Sequence, residues 1–99
     1  MRTVTAAIVI SGFFASLASA DVRVDEAVKL QQDGSIKPFE ELNELAIKQH
    51  PGASIRDTEL DDHHGTYIYE VELRDADGQK WDVDLDASTG EILQDKQDD

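Results

Sequence analysis

The residues of this chain best placed to do chemistry are carboxylates. Glu70 and Glu72 alternate with apolar residues between Tyr67 and Leu73, and Asp82, Asp84 and Asp86 do the same around Val83 and Leu85. A period of two puts each acidic set on one face of a strand. Acids crowded on one sheet face raise one another's pKa, and they attract cations or a basic protein face. Neighbouring acids on one strand face stand ~6.6–7 Å apart, too far to share one Ca²⁺ at about 2.4 Å per ligand. Nor does Asp75-Ala76-Asp77-Gly78 continue into a calcium loop, whose closing bidentate Glu is missing. Divalent cations are therefore expected to bind only diffusely, and Glu70, Glu72, Asp82 and Asp84 are the candidate binding residues.

Asp61-Asp62-His63-His64 is the one cluster of metal-ligand types in the sequence. Neighbours in an extended strand point opposite ways, so His63 and His64 do not naturally hold one ion together. A Zn²⁺ or Cu²⁺ site there would need a tight turn and His50 as a third ligand. No metal and no cofactor is assigned.

Catalytic patterns are missing. The chain has no cysteine, no Gly-x-Ser-x-Gly, no phosphate loop and no His-Glu-x-x-His. The carboxylates are expected to be exposed, where acid–base power is small, and a domain this short has little room for a concave site. The chain is not expected to be an enzyme.

These carboxylates must be positioned by a hairpin. Tyr67, Tyr69, Val71 and Leu73 share the apolar side of one run, and Trp81, Val83 and Leu85 that of the next. Asp75-Ala76-Asp77-Gly78 is the turn between them. Keeping apolar residues opposite one another, with Ala76-Asp77-Gly78 as the loop, sets Leu73 against Trp81, Val71 against Val83 and Tyr69 against Leu85. The same register opposes Glu70 to Asp84 and Glu72 to Asp82, an arrangement that costs a few tenths of a kcal/mol per pair.

Upstream, Val24, Ala27, Val28 and Leu30 predict a short helix within Asp21–Asp33, ended by Gly34. Pro38, Glu40 and Glu41 open a second helix within Ser35–His50, and Pro51-Gly52 stops it. Its stripe of Phe39, Leu42, Leu45 and Ala46 is suited to cover the sheet, with the aromatic residues Trp81, Tyr67 and Tyr69 beneath it. Ala53–Leu60 predicts a strand whose phase is broken. Ile55 and Leu60 would face opposite sides, so either Leu60 belongs to the turn or a bulge intervenes. Asp61–Gly65 is expected as a polar turn, Asp86–Gly90 as another and Glu91–Leu93 as a short closing strand. Residues 94–99 are expected to form a frayed acidic tail.

The first twenty residues read as a leader outside the fold. Arg2 gives a positive start, Ala6–Leu17 an apolar stretch and Ala18-Ser19-Ala20 a small-residue cleavage site. The apolar stretch is shorter than the ~20 residues needed to span a bilayer, so no stable membrane insertion is expected after cleavage. A secreted chain without cysteine fits the Gram-negative periplasm. All 22 acidic residues lie beyond Ala20, with every basic residue but Arg2, so the product is more acidic than the net −13 of the whole chain. Such a field repels nucleic acid and anionic lipid and favours cations, basic peptides or a basic protein face.

Taken in order, His50-Pro51-Gly52, Tyr67-Ile68-Tyr69-Glu70-Val71, Asp77-Gly78 and above all Val83-Asp84-Leu85-Asp86-Ala87-Ser88-Thr89-Gly90-Glu91-Ile92-Leu93 resemble the PepSY domain family over Val24–Leu93. Asp33–Phe39 is similar to the variant of small standalone periplasmic members. The closing motif also has a structural reading, in which Asp86 caps the turn and Gly90 lets the chain enter the last strand. The resemblance implies an α+β domain at 21–93: two N-terminal helices, then a three- to four-stranded antiparallel sheet with a helix packed on one face. It further implies a module that binds, inhibits or regulates another envelope protein such as a protease. No protease follows in this chain, so any such action would be in trans. The alternative from the residues is a cation-binding or cation-sensing protein using the acidic face.

Overall fold

The computed structural model describes residues 19–98, and side chains from Asp21 onward. The expected leader at 1–20 lies outside the described residues except for Ser19 and Ala20. The elements are β1 (Ser19–Asp21), α1 (Val24–Gln32), α2 (Phe39–Gln49), β2 (Ser54–His63), β3 (Thr66–Arg74), β4 (Lys80–Asp86) and β5 (Ile92–Asp98). The strands form one antiparallel sheet in the order β1-β2-β3-β4-β5. This is the α+β class, with four strands after the helices and a three-residue strand before them that the sequence did not suggest.

α1 is shorter than Asp21–Asp33 and closes in a Schellman arrangement. Ser35 N–H donates to Leu30 O and Gly34 N–H to Gln31 O, with Gly34 at φ +81°. Of its stripe, Ala27 is buried and Leu30 partly so, while Val24 and Val28 are exposed. Gln31 Oε1 accepts the Phe39 N–H at 2.9 Å. α2 has Pro38 as its N-cap, which offers no side-chain oxygen, so α1 supplies the cap instead.

The apolar cluster joins α2 and the strands. Leu42, Ala46, Leu73, Val83 and Leu85 are fully buried. Phe39 stacks on Tyr69 at 4.9 Å between ring centroids, and Tyr69 donates its hydroxyl to Asn43 Oδ1 at 2.8 Å. At the other end of α2, His50 stacks on Trp81 at 4.2 Å, and Trp81 Nε1 donates to Asp75 Oδ2.

The β3–β4 register is the one that alternation predicts: Leu73 faces Trp81, Val71 faces Val83 and Tyr69 faces Leu85. Asp75 N–H donates to Gln79 O, enclosing the three-residue loop, and Asp75 Oδ1 accepts the N–H groups of Asp77 and Gln79. In β2 the register slips between Ile55 and Asp57, a bulge at Arg56 that lets Ile55 oppose Leu73 and Leu60 oppose Tyr69. Both apolar residues therefore face the same side.

Two expectations are corrected. Asp61–Gly65 is not one polar turn: β2 continues through His63, and the turn is His64-Gly65, at φ +55° and +89°. Positive φ at both positions suits the twist of a two-residue hairpin. Gln94–Asp98, expected as a frayed tail, instead lie in β5 opposite Asp84–Lys80. An edge strand exposed on both sides carries no alternation of polarity to announce it; Asp99 lies outside the described residues.

The closing turn locks the helices to the sheet. Asp86 Oδ1 accepts the N–H groups of Ser88 and Thr89, as its predicted capping role requires. Lys37 N–H donates to Ala87 O, and Ser88 Oγ to Ser35 O, so the α1–α2 linker is tied to the β4–β5 turn.

Candidate functional site

Period-two alternation sends the polar side chains of β2, β3 and β4 away from the apolar cluster. Glu70 lies opposite Asp84 and Glu72 opposite Asp82, as the sequence requires. β2 adds Glu59 opposite Glu70 and Asp57 opposite Glu72. On the other flank, β5 places Lys96 opposite Asp82 and Gln94 opposite Asp84. These residues line a shallow groove of about 270 Å³ on the outer face. All four candidate binding residues are thus on one surface, joined by Asp57 and Glu59, and one lysine tempers their charge.

Crowding shows in their protonation. Burial pushes Asp82 up, with the charges of Asp98 and Glu72 adding to it and Lys96 opposing. Burial likewise raises Asp84, helped by Asp82 and again opposed by Lys96. A carboxyl–carboxyl hydrogen bond with Asp61, burial and the nearby acids push Glu70 up to about 8. A hydrogen bond with Asp21, then the charges of Asp61 and Asp21, push Glu59 up to about 7. Asp21 moves the other way, held low by side-chain hydrogen bonds with Glu59 and Asp61. Glu59 and Glu70 are thus the two carboxyls of this face that acidic neighbours push toward neutrality.

Asp61, read in the sequence as part of a polar turn beside His63 and His64, is instead a buried member of β2 next to Glu70. It is only 8% exposed. One oxygen of its carboxylate, a ring nitrogen of His63 and an oxygen of Glu70 lie within 4.8 Å of one another, and the same holds for Asp21, Glu59 and Asp61. The usable signal was the alternation Asp57, Glu59, Asp61, His63, which continues the outer face of β2 beyond Leu60. His63 and His64 part company, as their adjacency demands: His63 joins the cluster and His64 occupies the turn. His50 is engaged elsewhere, its Nε2 2.7 Å from Asp95 Oδ1.

A second groove, about 440 Å³, opens between α1 and the sheet and is lined by Val22, Val24, Val28, Phe39, Leu60 and Tyr69 among others. Among the described residues no helix is long and apolar enough to cross a membrane.

Comparison with known proteins gives the fold its family. The family described as "Peptidase propeptide and YPEB domain" matches residues 36–96, from the end of the α1–α2 linker to Lys96 in β5. The chain is also similar to "Uncharacterized protein YkoJ" of Bacillus subtilis (strain 168), 35% identical over 60 residues. That match takes in 61% of this chain and 35% of the relative, so the chain spans about a third of the protein it resembles. No solved structure matches. The family match covers the α2–sheet core, the hairpin and the closing Asp86–Gly90 turn: the chain belongs to the PepSY family.

Proposed function

We propose that this chain is a binding module of the cell envelope that regulates or inhibits another protein there, such as a protease, by presenting the acidic outer face of its sheet. The observation that carries the reading is the groove formed by Asp57, Glu59, Glu70, Glu72, Asp82 and Asp84, with Lys96 the one basic residue lining it. Crowded carboxylates already raised by burial and mutual repulsion gain most from a cationic partner, which removes the repulsion as it binds. The partner is therefore a basic or basic-edged protein segment. The open edge of β5 lies beside the groove and offers such a segment backbone pairing. The family's link to peptidase propeptides supports a protease as the target. The leader-like start supports export to the periplasm, with no nucleic-acid partner for so acidic a surface.

The test is capture from a periplasmic extract by the wild-type chain and by a variant carrying E70Q, E72Q, D82N and D84N. Proteins held by the wild type and lost by the variant are the expected result. Retention of the same proteins by both sets the acidic face aside as the interface.

A second reading, a protein that binds divalent cations, is favoured by the convergence of Asp61, Glu70 and His63 at one end of this face.

A further inference from the structure

We infer that Asp61, His63 and Glu70 form a site for one first-row divalent cation of the Zn²⁺ type. The inference deepens the cation-binding reading and is independent of the protein partner.

The site is built by backbone geometry. Asp61 and His63 are two apart on β2 and so project to the same face. Glu70 comes from the neighbouring strand, two residues beyond Ile68, the partner of Asp61. The three ligand atoms lie within 4.8 Å of one another. Donors around a tetrahedral Zn²⁺ at about 2.1 Å stand roughly 3.4 Å apart. The three would have to close by at most roughly 1.4 Å, which rotation about the torsions of Glu70 and His63 supplies.

Asp61 is what distinguishes this cluster from a merely acidic surface. It is 8% exposed, and its hydrogen-bond partners are the carboxyls of Glu70 and Asp21. A carboxylate so far removed from water is costly unless a cation or donors meet it. The groups around it are the carboxyls of Glu70, Glu59 and Asp21 and the imidazole of His63. Without a metal, Asp61 and Glu70 are held together by a carboxyl–carboxyl hydrogen bond, and one dication bound by both replaces the shared proton and balances the two charges.

The donor set selects the metal class. An imidazole nitrogen with two carboxylates suits Zn²⁺ and its first-row neighbours, while an all-oxygen surface would suit Ca²⁺ or Mg²⁺. Three protein ligands leave a fourth position for water or for a donor from a bound partner. One oxygen each of Asp21, Glu59 and Asp61 also lie within 4.8 Å of one another, so further carboxyls border the ligand Asp61.

The experiment titrates the full chain with Zn²⁺, and separately with Ca²⁺, by calorimetry, with thermal melts alongside. One equivalent of Zn²⁺ is expected to bind and to raise the melting temperature. His63→Ala should weaken that step by at least about tenfold, as loss of a ligand does, while its Ca²⁺ response stays as in the wild type. Asp61→Asn should do the same, and Glu44→Gln, on the exposed side of α2, should leave the Zn²⁺ step intact. Zn²⁺ binding unchanged in His63→Ala overturns the site while leaving a diffuse cation reading standing. No response to either ion beyond a monovalent-salt control overturns both.

Discussion

His50 Nε2 lies 2.7 Å from Asp95 Oδ1, linking the end of α2 to the edge strand β5. The two side chains are 16% and 28% exposed, and the imidazole also stacks on Trp81. Hydrogen bonds to a charged group contribute about 1.5–3 kcal/mol, and aromatic stacking about 0.5–1.5 kcal/mol. His50→Ala should therefore cost about 2–3 kcal/mol in urea unfolding. Asp95→Asn should cost less, because it keeps the stack, but should speed hydrogen exchange along β5. Equal exchange in wild type and Asp95→Asn would show that the contact does not hold the strand.

Leu42 is fully buried where α2 meets the sheet, whereas Leu93, in β5, is 47% exposed. Truncating a buried leucine costs about 2–5 kcal/mol. Leu42→Ala should fall in that range, and Leu93→Ala should stay within about 0.5 kcal/mol of wild type. Comparable losses at both positions would contradict the placement of the core.

Gly90 and Gly34 share a positive φ, +84° and +81°, but differ in surroundings. A Cβ at Gly90 would stand 2.8 Å from Leu45 Cδ1 and 3.2 Å from Lys37 Cε, while at Gly34 it meets nothing within 4 Å. Both alanine variants bear the left-handed backbone cost of about 1 kcal/mol. Gly90→Ala adds the cost of displacing the ends of the Leu45 and Lys37 side chains, on the order of 1 kcal/mol. Its melting temperature should fall below that of Gly34→Ala, and matched melts would show the closing turn standing off α2.

Stability should fall as pH rises from about 5 to 8.5. Glu59 and Glu70 have folded-state values of about 7 and about 8, against an ordinary 4.5. The folded chain thus binds more protons than the unfolded one across that interval. The stabilisation is complete below the ordinary value and is lost as pH rises through 7 and 8. Asp33 and Asp75, held low chiefly by side-chain hydrogen bonds with Ser35 and Trp81, act in the opposite sense and lose their contribution below about pH 4. Melts across this range should show a maximum near pH 5. Glu70→Gln should flatten the alkaline limb; an unchanged slope in that variant would remove Glu70 as its source.

The parts of the fold that were legible in the sequence are those with one wet face and one dry one. Tyr69, Val71, Val83 and Leu85 alternate with acids, so the β3–β4 register and the pairs Glu70–Asp84 and Glu72–Asp82 follow from the pattern. At Arg56 the pattern permitted two solutions, and only packing against Leu73 and Tyr69 selects the bulge. Asp61 next to Asp62 and two histidines resembles a turn in composition, although the tight positive-φ turn is confined to His64-Gly65. Its burial therefore could not be read from residue types. β5 was hidden for the opposite reason: Gln94, Asp95, Lys96 and Gln97 are polar on both sides, and strand pairing alone gives them structure.

That polarity has a consequence for how the molecule meets copies of itself. An edge strand exposes a row of unpaired backbone groups, and long apolar edges join one another into aggregates. From Gln94 to Asp98 the edge carries charges of both signs among glutamines and no apolar side chain. Stacking two such strands would bury charges without apolar area to offset the cost. From Gln94 onward that edge is therefore a poor surface for pairing with a copy of itself.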